Sequence, residues 1–462
     1  MNFKTRNIIL WAIIIILSGY IYIISFVSLI VWGICFLAGH LVFRNKQTRD
    51  HFIFSRSFII ITFIGILSVI DNYNYTGAFF GPGGDDHAFF NNILYLLRNS
   101  EILKKNIGFY EYVLAVPSRI ISAFIRRDLS VIDILPVNWF LGAVICVLIN
   151  HISKLLFDTE LKFQVILLSL LLNFKFYDTI IHLYRDALLY VFFLFAFKAY
   201  LKKKYIRFSV FTFLTALLRG AHALLLLLFL FLLKIYDSKK IVFKTVILSM
   251  VFIFFMGIYK QYNLNIIPYM SQFQYIDKYS DRYEEYDIER LVEDRKSEFR
   301  IREGHQNPLR QKTYANDITG TIIGSFFQVF FPITFHFSGF DIIPSTFGTN
   351  YQSFTFVGFI LWISIIAWIW IIPLLILGLT NCYQRKGNGF ALILFYLISL
   401  LSVSMISMQD RHGLIFVIFH PVICQLGYNM TLENKRFRVR FKRYQFTVVL
   451  LLVAWNFFRI IM

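Results

Sequence analysis

Residues 8–43 read IILWAIIIILSGYIYIISFVSLIVWGICFLAGHLVF, and from Ile8 to Phe43 these 36 positions hold no Asp, Glu, Lys or Arg. A helix that crosses a bilayer needs about 20 mainly apolar residues. The stretch is therefore long enough to cross twice and predicts a helical hairpin. It is too long for a secretory signal, lacks a convincing small-residue cleavage site and is followed by more apolar runs, so it reads as retained.

Outward from this hairpin the pattern repeats. Apolar runs cover roughly 57–72, 133–157, 163–177, 183–201, 206–219, 221–236, 241–258, 354–379, 389–408, 412–430 and 445–461. With 58% hydrophobic and 19% aromatic residues and a mean hydropathy of +0.63, the chain reads as an all-α polytopic membrane bundle. About 13 spans are expected, within a range of about 11–14. Cys35, Cys146 and Cys424 fall inside these runs and Cys382 lies beside a basic loop. Their wide spacing implies neither a disulfide framework nor a cysteine-based metal site.

The net charge of +19 is explained by topology. With Lys4 and Arg6 holding the N-terminus in the cytoplasm, 13 spans put seven segments inside: the N-terminus and the stretches near 44–56, 154–162, 198–207, 234–244, 380–388 and 431–444. They carry 25 Lys and Arg against five carboxylates, a net of +20, and the remainder of the chain sums to −1. This follows the positive-inside bias, so the basic excess calls for no nucleic-acid partner. The densest cluster, Lys435 to Arg443, alternates basic and apolar residues before the last run and suits anionic lipid headgroups.

Two long segments, 73–132 and 259–353, fall on the far side in this threading. The second carries charges of both signs from Asp281 to Glu303, the pattern of a solvated helix laced with near-neighbour pairs. Ile322 to Phe337, apolar but interrupted by Pro332, reads as a re-entrant or interfacial helix. Tyr110 to Ile125 reads as amphipathic.

The first far-side segment opens with Gly81-Pro82-Gly83-Gly84-Asp85-Asp86-His87. Glycines admit backbone geometries closed to other residues and proline stiffens the approach, so a turn is expected to present the two carboxylates. Such a pair can divide into acid and base or share a divalent cation. Beyond that cation, no cofactor is implied.

Ionisable residues at span edges are costly and mark functional candidates. Besides Asp85-Asp86-His87, three groups stand out: His182, Arg185 and Asp186 at the entrance of a span; Arg219 and His222 around Gly220; and Asp410-Arg411-His412. His182 and Asp186, four residues apart, are expected on one helical face. All four groups fall on the extracytoplasmic side of the threading, as a shared site requires. Singly, each also reads as a helix cap or an interfacial anchor.

Arginine holds phosphate through paired hydrogen bonds, and a phosphate attached to a lipid sits at this depth. A carboxylate there could act as base on a sugar hydroxyl while positive charge stabilises the departing phosphate. The chain lacks the GxGxxG, Walker, HExxH and GxSxG patterns. Energy for transfer would therefore come from an activated lipid-linked donor.

At these residues the chain resembles the polytopic GT-C type membrane glycosyltransferases and the O-antigen and exopolysaccharide polymerases of bacteria. Gly83-Gly84-Asp85-Asp86 is similar to the early extracytoplasmic acidic motif, and Tyr184-Arg185-Asp186-Ala187-Leu188-Leu189 to the start of a later helix. Leu218-Arg219-Gly220-Ala221-His222 resembles the arginine step, Phe330-Phe331-Pro332 an aromatic-proline element, and Arg411-His412 with Pro421 the late arginine-to-proline segment. Here the acidic loop follows the third span, whereas in GT-C enzymes it usually follows the first.

The resemblance implies an inner-membrane enzyme that joins polyprenyl-diphosphate-linked sugars at the periplasmic face, working beside other polysaccharide-assembly proteins. Asp85 or Asp86 would be the base, and Arg185, Arg219 and Arg411 would hold phosphate. His222 and His412 would assist in hydrogen bonding or proton transfer. A flippase for lipid-linked oligosaccharide remains the alternative from another class, and a structural scaffold a third.

Overall fold

The computed structural model describes residues 3–44, 48–76, 79, 84–98, 107–125, 129–237, 356–385, 387–406 and 413–461. The expected span at 241–258 and the whole of 259–353, including the charged helix and the re-entrant segment, lie outside these residues. Helix accounts for 91% of the structure, with no strand among the described residues. The chain is an all-α polytopic membrane bundle.

The 36-residue run forms α1 (Phe3–Ile24) and α2 (Phe26–Arg44), which part at Ser25. A serine hydroxyl competes for backbone partners, and here it also pins the junction of the two helices to α6. Ser25 Oγ donates to Asp133 Oδ1 at 2.5 Å, and Ser28 Oγ to the Ile132 carbonyl at 3.0 Å. Both acceptors lie in the first turn of α6 (Val131–Phe157), whose Ala143, Ile145, Cys146 and Val147 are fully buried. A helix apolar on all sides belongs in the middle of a bundle. Accordingly α2, α3 (Thr48–Thr76) and α9 (Asp186–Leu201) surround α6.

Between α3 and α6 lie α4 (Gly84–Arg98) and α5 (Phe109–Ile125), packed on one another. Asn92 Nδ2 donates to Glu111 Oε1 at 3.0 Å, and Arg119 Nη2 to the Leu96 carbonyl at 2.8 Å. After α6 the path breaks. The short α7 (Phe163–Ile166) runs into a π-helical turn, Leu167–Leu171, and resumes as α8 (Phe174–Ile181) at a bend of 78°.

The remaining helices are α10 (Tyr205–Leu218), α11 (Gly220–Asp237), α12 (Phe356–Arg385), α13 (Gly387–Ile406), α14 (Leu414–Val417), α15 (His420–Glu433) and α16 (Lys435–Ile461). Phe197, Phe229, Phe395 and Phe419 form a continuous aromatic knot, with ring centroids 4.3 Å apart for Phe229 and Phe395 and 4.9 Å for Phe197 and Phe229. Offset and edge-on ring pairs of this kind add to the area they bury. The knot ties α9, α11 and α13 to the link between α14 and α15.

Among the described residues five helices are long and apolar enough to cross a bilayer, and the bent pair makes a sixth. The sequence suggested more spans because several apolar runs are cut short. α9 has 16 residues and α10 has 14, about 24 and 21 Å at 1.5 Å per residue, against a hydrocarbon core about 30 Å thick.

Basic residues gather where the start of α3 meets the ends of α6 and α9. There Asp50 Oδ2 meets His151 Nε2 at 2.5 Å, His151 Nδ1 meets Lys198 Nζ at 2.5 Å, and Asn150 Nδ2 donates to Asp50 Oδ1 at 3.3 Å. This relay fastens α3, α6 and α9 together. At the other end are the starts of α2, α6, α9 and α12, where the Phe356 N–H donates to Asp71 Oδ1 at 3.1 Å.

Candidate functional site

The end of the bundle away from the basic loops is organised by Asn138, buried in α6. Its Nδ2 donates to the carbonyls of His182 at 2.6 Å and Tyr184 at 3.2 Å, and its Oδ1 accepts from Tyr110 Oη at 3.2 Å. The link between α8 and α9 carries carbonyls that no helix satisfies, so a carboxamide with both donor and acceptor suits it. Tyr110 also packs edge-on against Phe89 at 5.4 Å, which ties α4 and α5 to the same link.

That link overturns one expectation. His182 and Asp186 do not share a helical face, because α8 ends at Ile181, His182 is extended (φ −98, ψ 164), and α9 starts at Asp186. His182 instead lies 3.6 Å from Asp178, one turn back on α8.

Asp186, now at the N-terminus of α9, faces another element. Its Oδ1 lies 3.3 Å from Arg219 Nη1, with side-chain exposures of 1% and 12%. A carboxylate taken out of water needs such a partner, and the positive N-terminus of α9 adds to its stabilisation. Arg219 closes α10 with its N–H on the Thr215 carbonyl at 2.8 Å, and its own carbonyl accepts from His222 N at 3.1 Å. The chain therefore reverses sharply between α10 and α11 and sets Arg219 and His222 side by side.

His222 is 8% exposed. Its Nε2 lies 3.2 Å from the Tyr190 hydroxyl, and Nδ1 has no hydrogen-bond partner. The Tyr190 hydroxyl also meets the backbone of Ile415, and Arg185, half-buried at the head of α9, acts on His222 through its charge. The structure thus joins two groups far apart in sequence, 185–190 and 219–222, and sets the 413–417 segment against them.

Arg411 and His412 lie outside the described residues, although Gly413 directly after them is placed. Asp85 and Asp86 occupy the first turn of α4, a helix where a turn was expected from Gly81 to His87. Carboxylates favour that position because the first turn exposes unpaired N–H groups and a positive dipole. Their side chains lie outside the described residues. Among the described residues no three His, Cys, Asp or Glu side chains are grouped to hold a metal ion.

The sequence reading passed over Asn138, Tyr190, Lys175 and His420. Lys175 is 2% exposed in α8 and His420 is fully buried. Lys175 carried the usable signal, an ionisable residue inside the apolar run 163–177. Tyr190 and Asn138 carried none, since a single tyrosine or asparagine in a span is unremarkable until its partner is known. Neither a family model nor a curated protein nor a solved structure matches this chain.

Proposed function

We propose that this protein is an enzyme of the bacterial inner membrane, with a cytoplasmic N-terminus. It transfers sugars or repeat units of a surface polysaccharide from a polyprenyl-phosphate or diphosphate donor at the periplasmic face. The observation that carries this reading is the union of Arg219, Asp186, Arg185, Tyr190 and His222 at the end of the bundle away from the basic loops. Structural ion pairs have no reason to collect histidine, tyrosine and a second arginine around them.

In this mechanism Asp85 or Asp86 takes the proton of an acceptor hydroxyl. The hydroxyl oxygen forms the new glycosidic bond as the bond from sugar carbon to phosphate oxygen breaks. The phosphate leaves with that electron pair, and Arg185, Arg219 and Arg411 stabilise its charge. Asp186 acts as a positioning residue that fixes the guanidinium of Arg219. The partners are then a polyprenyl-linked saccharide and the surrounding lipids, and a divalent cation enters only if Asp85 and Asp86 bind one.

Asp86→Ala removes the proposed base, and Arg219→Lys keeps the charge opposite Asp186 but loses the paired donors. Both variants are expected to insert and fold while elongation of the lipid-linked glycan falls by about 100-fold or more, the usual scale for a general base. Glycan length profiles equal to wild type in both variants would remove the reading.

The 78° break between α7 and α8 favours a second reading, a flippase for the same lipid-linked saccharide. Interrupted helices with buried polar groups are a transporter device. A translocation assay separates the two: a transport defect leaves substrate on the cytoplasmic leaflet, whereas a transfer defect leaves single units on the outer one.

A further inference from the structure

We propose that α16 holds one bilayer lipid whose headgroup carries two phosphates, of the cardiolipin type, in a cavity lined by Lys435, Arg438 and Lys442 with Leu432 and Val439. The site lies at the basic end of the bundle and is independent of the sugar-transfer reading.

The sequence from Lys435 to Arg443 has six cations in nine positions. As a diffuse coat of charge, all six would attract anionic headgroups alike. Helical winding breaks that equivalence, because residues three, four and seven apart share a face. Lys435, Arg438, Val439 and Lys442 stand at those spacings, and with Leu432 near the end of α15 they line a cavity of about 430 Å³. Arg436, Arg440 and Arg443 do not line it. Arg440 instead lies over the Phe437 ring, 5.5 Å from its centroid.

The charge of the cavity is not compensated by the protein. From Thr431 to Met462 the only acidic side chain is Glu433. Among the described residues, neither it nor any of Lys435, Arg438 and Lys442 enters a salt bridge. Arg438 Nε donates to the Thr431 carbonyl at 3.4 Å, which ties the guanidinium back to α15 and leaves its other donors available. Like charges one turn apart repel, so the complement of this face is anionic.

Size and spacing define that anion further. Seven residues at 1.5 Å each set Lys435 and Lys442 about 10 Å apart along the helix. One phosphate does not span this at hydrogen-bond distance, whereas two linked phosphates reach both lysines with Arg438 between them. The volume falls in the range of about 300–1,000 Å³ usual for small-molecule sites, which suits a headgroup rather than a single ion.

The same face shows that the anion belongs to a lipid. Beyond Lys442, Phe446, Val449, Leu450 and Val453 continue the steps of three and four residues and are 64%, 38%, 51% and 61% exposed. Phe441 packs inward against Trp370 at 6.0 Å, and Val448 is buried. Cations followed along one face by uncovered apolar side chains match a headgroup followed by acyl chains. A soluble anion would leave the apolar part of the stripe without a role. Basic pockets beside membrane helices at the cytoplasmic surface hold such headgroups, and here the headgroup straddles the junction of α15 and α16 and braces the last helix.

The test uses the purified full chain in detergent, with cardiolipin, phosphatidylglycerol, phosphatidylcholine and geranylgeranyl diphosphate as probes. Native mass spectrometry reads bound mass, and thermal unfolding reads stabilisation. One cardiolipin per chain is expected to bind saturably and raise the melting temperature, with phosphatidylglycerol at least tenfold weaker and no adduct from phosphatidylcholine. Phosphatidylglycerol binding as tightly as cardiolipin overturns the two-phosphate site, and tighter binding of geranylgeranyl diphosphate overturns its assignment to a bilayer lipid. Lys435→Gln with Lys442→Gln should weaken cardiolipin about 20-fold, since each cation at an anionic headgroup contributes about fivefold. Arg436→Gln with Arg443→Gln removes the same charge outside the cavity and should leave binding unchanged. Equal losses in the two pairs would mean diffuse attraction and overturn the site, as would no loss in the first pair. All four side chains are exposed, so both pairs should melt like wild type without lipid; if the first pair does not, Lys442→Gln alone gives the comparison, with a loss of about fivefold expected and unchanged affinity overturning the site. Glycan elongation by Arg219→Lys bears on the transfer reading alone.

Discussion

Asp186 opens α9 and Arg219 closes α10, and their contact at 3.3 Å is almost wholly shielded from water. Each charge in such a pair is tolerated only because of the other. Asp186→Ala is therefore expected to destabilise the protein by about 3–5 kcal/mol, the usual result of stranding a buried charge. Adding Arg219→Met should recover part of that loss, since an apolar stem then replaces the orphaned guanidinium. Thermal unfolding in detergent of wild type, both single variants and the double variant measures this. A strictly additive double variant would show that the two residues do not act as a pair. Activity should behave differently, because Arg219 is proposed to touch substrate and its loss is not rescued by a more stable fold.

At the scale of elements, close helix contact depends on small residues. A Cβ at Gly378 in α12 would collide with the carbonyl of Ile423, and one at Gly427 in α15 with the carbonyl of Leu374. Membrane helices have little hydrophobic drive to associate and rely on such close packing. Gly378→Ala is expected to lower the melting temperature measurably, whereas Gly220→Ala, whose Cβ meets nothing within 4 Å, should leave it unchanged or raise it. Ranking the two variants by thermal shift checks this.

Elements were also where sequence periodicity stopped being informative. The long runs 133–157 and 354–379 became α6 and α12 nearly as expected, because a bilayer admits little else for an uncharged stretch of that length. The break after Leu171 was not legible. Leu167 to Leu172 reads LLSLLL, and nothing in so uniform a run marks a π-helical turn that is stabilised by packing from distant helices. The candidate site divides the same way. Arg185, Arg219 and His222 were conspicuous as ionisable residues at span edges, whereas the pairing of Arg219 with Asp186 depends on a sharp reversal at Arg219 that no local signal fixes.

For the whole molecule, the asymmetry of charge is the property with the widest consequence. The two ends of the bundle differ in kind: Lys198, Lys202, Lys203 and Lys204 lie at the far end of α9 from Asp186, and Lys435 to Arg443 open α16 at that same end. The rule that sets membrane orientation counts Lys and Arg in short loops near span ends, and an inside-negative potential adds about 2.3 kcal/mol per charge for each 100 mV. Both effects predict that the basic end faces the cytoplasm and the Asp186–Arg219 cluster the outside.

Single cysteines can test this once Cys35, Cys146, Cys382 and Cys424 are replaced. Ala88→Cys lies on the exposed face of α4, and Lys203→Cys in the exposed turn between α9 and α10. A membrane-impermeant maleimide is expected to label Ala88→Cys in intact cells and Lys203→Cys only after lysis. The reverse pattern would put the cluster on the cytoplasmic side, where a periplasmic acceptor never arrives, and the proposed chemistry would fail with it. Labelling of both positions in intact cells would instead mean that α4 to α9 cross the bilayer an even number of times, and the helix count would need revision before the site could be assigned a side.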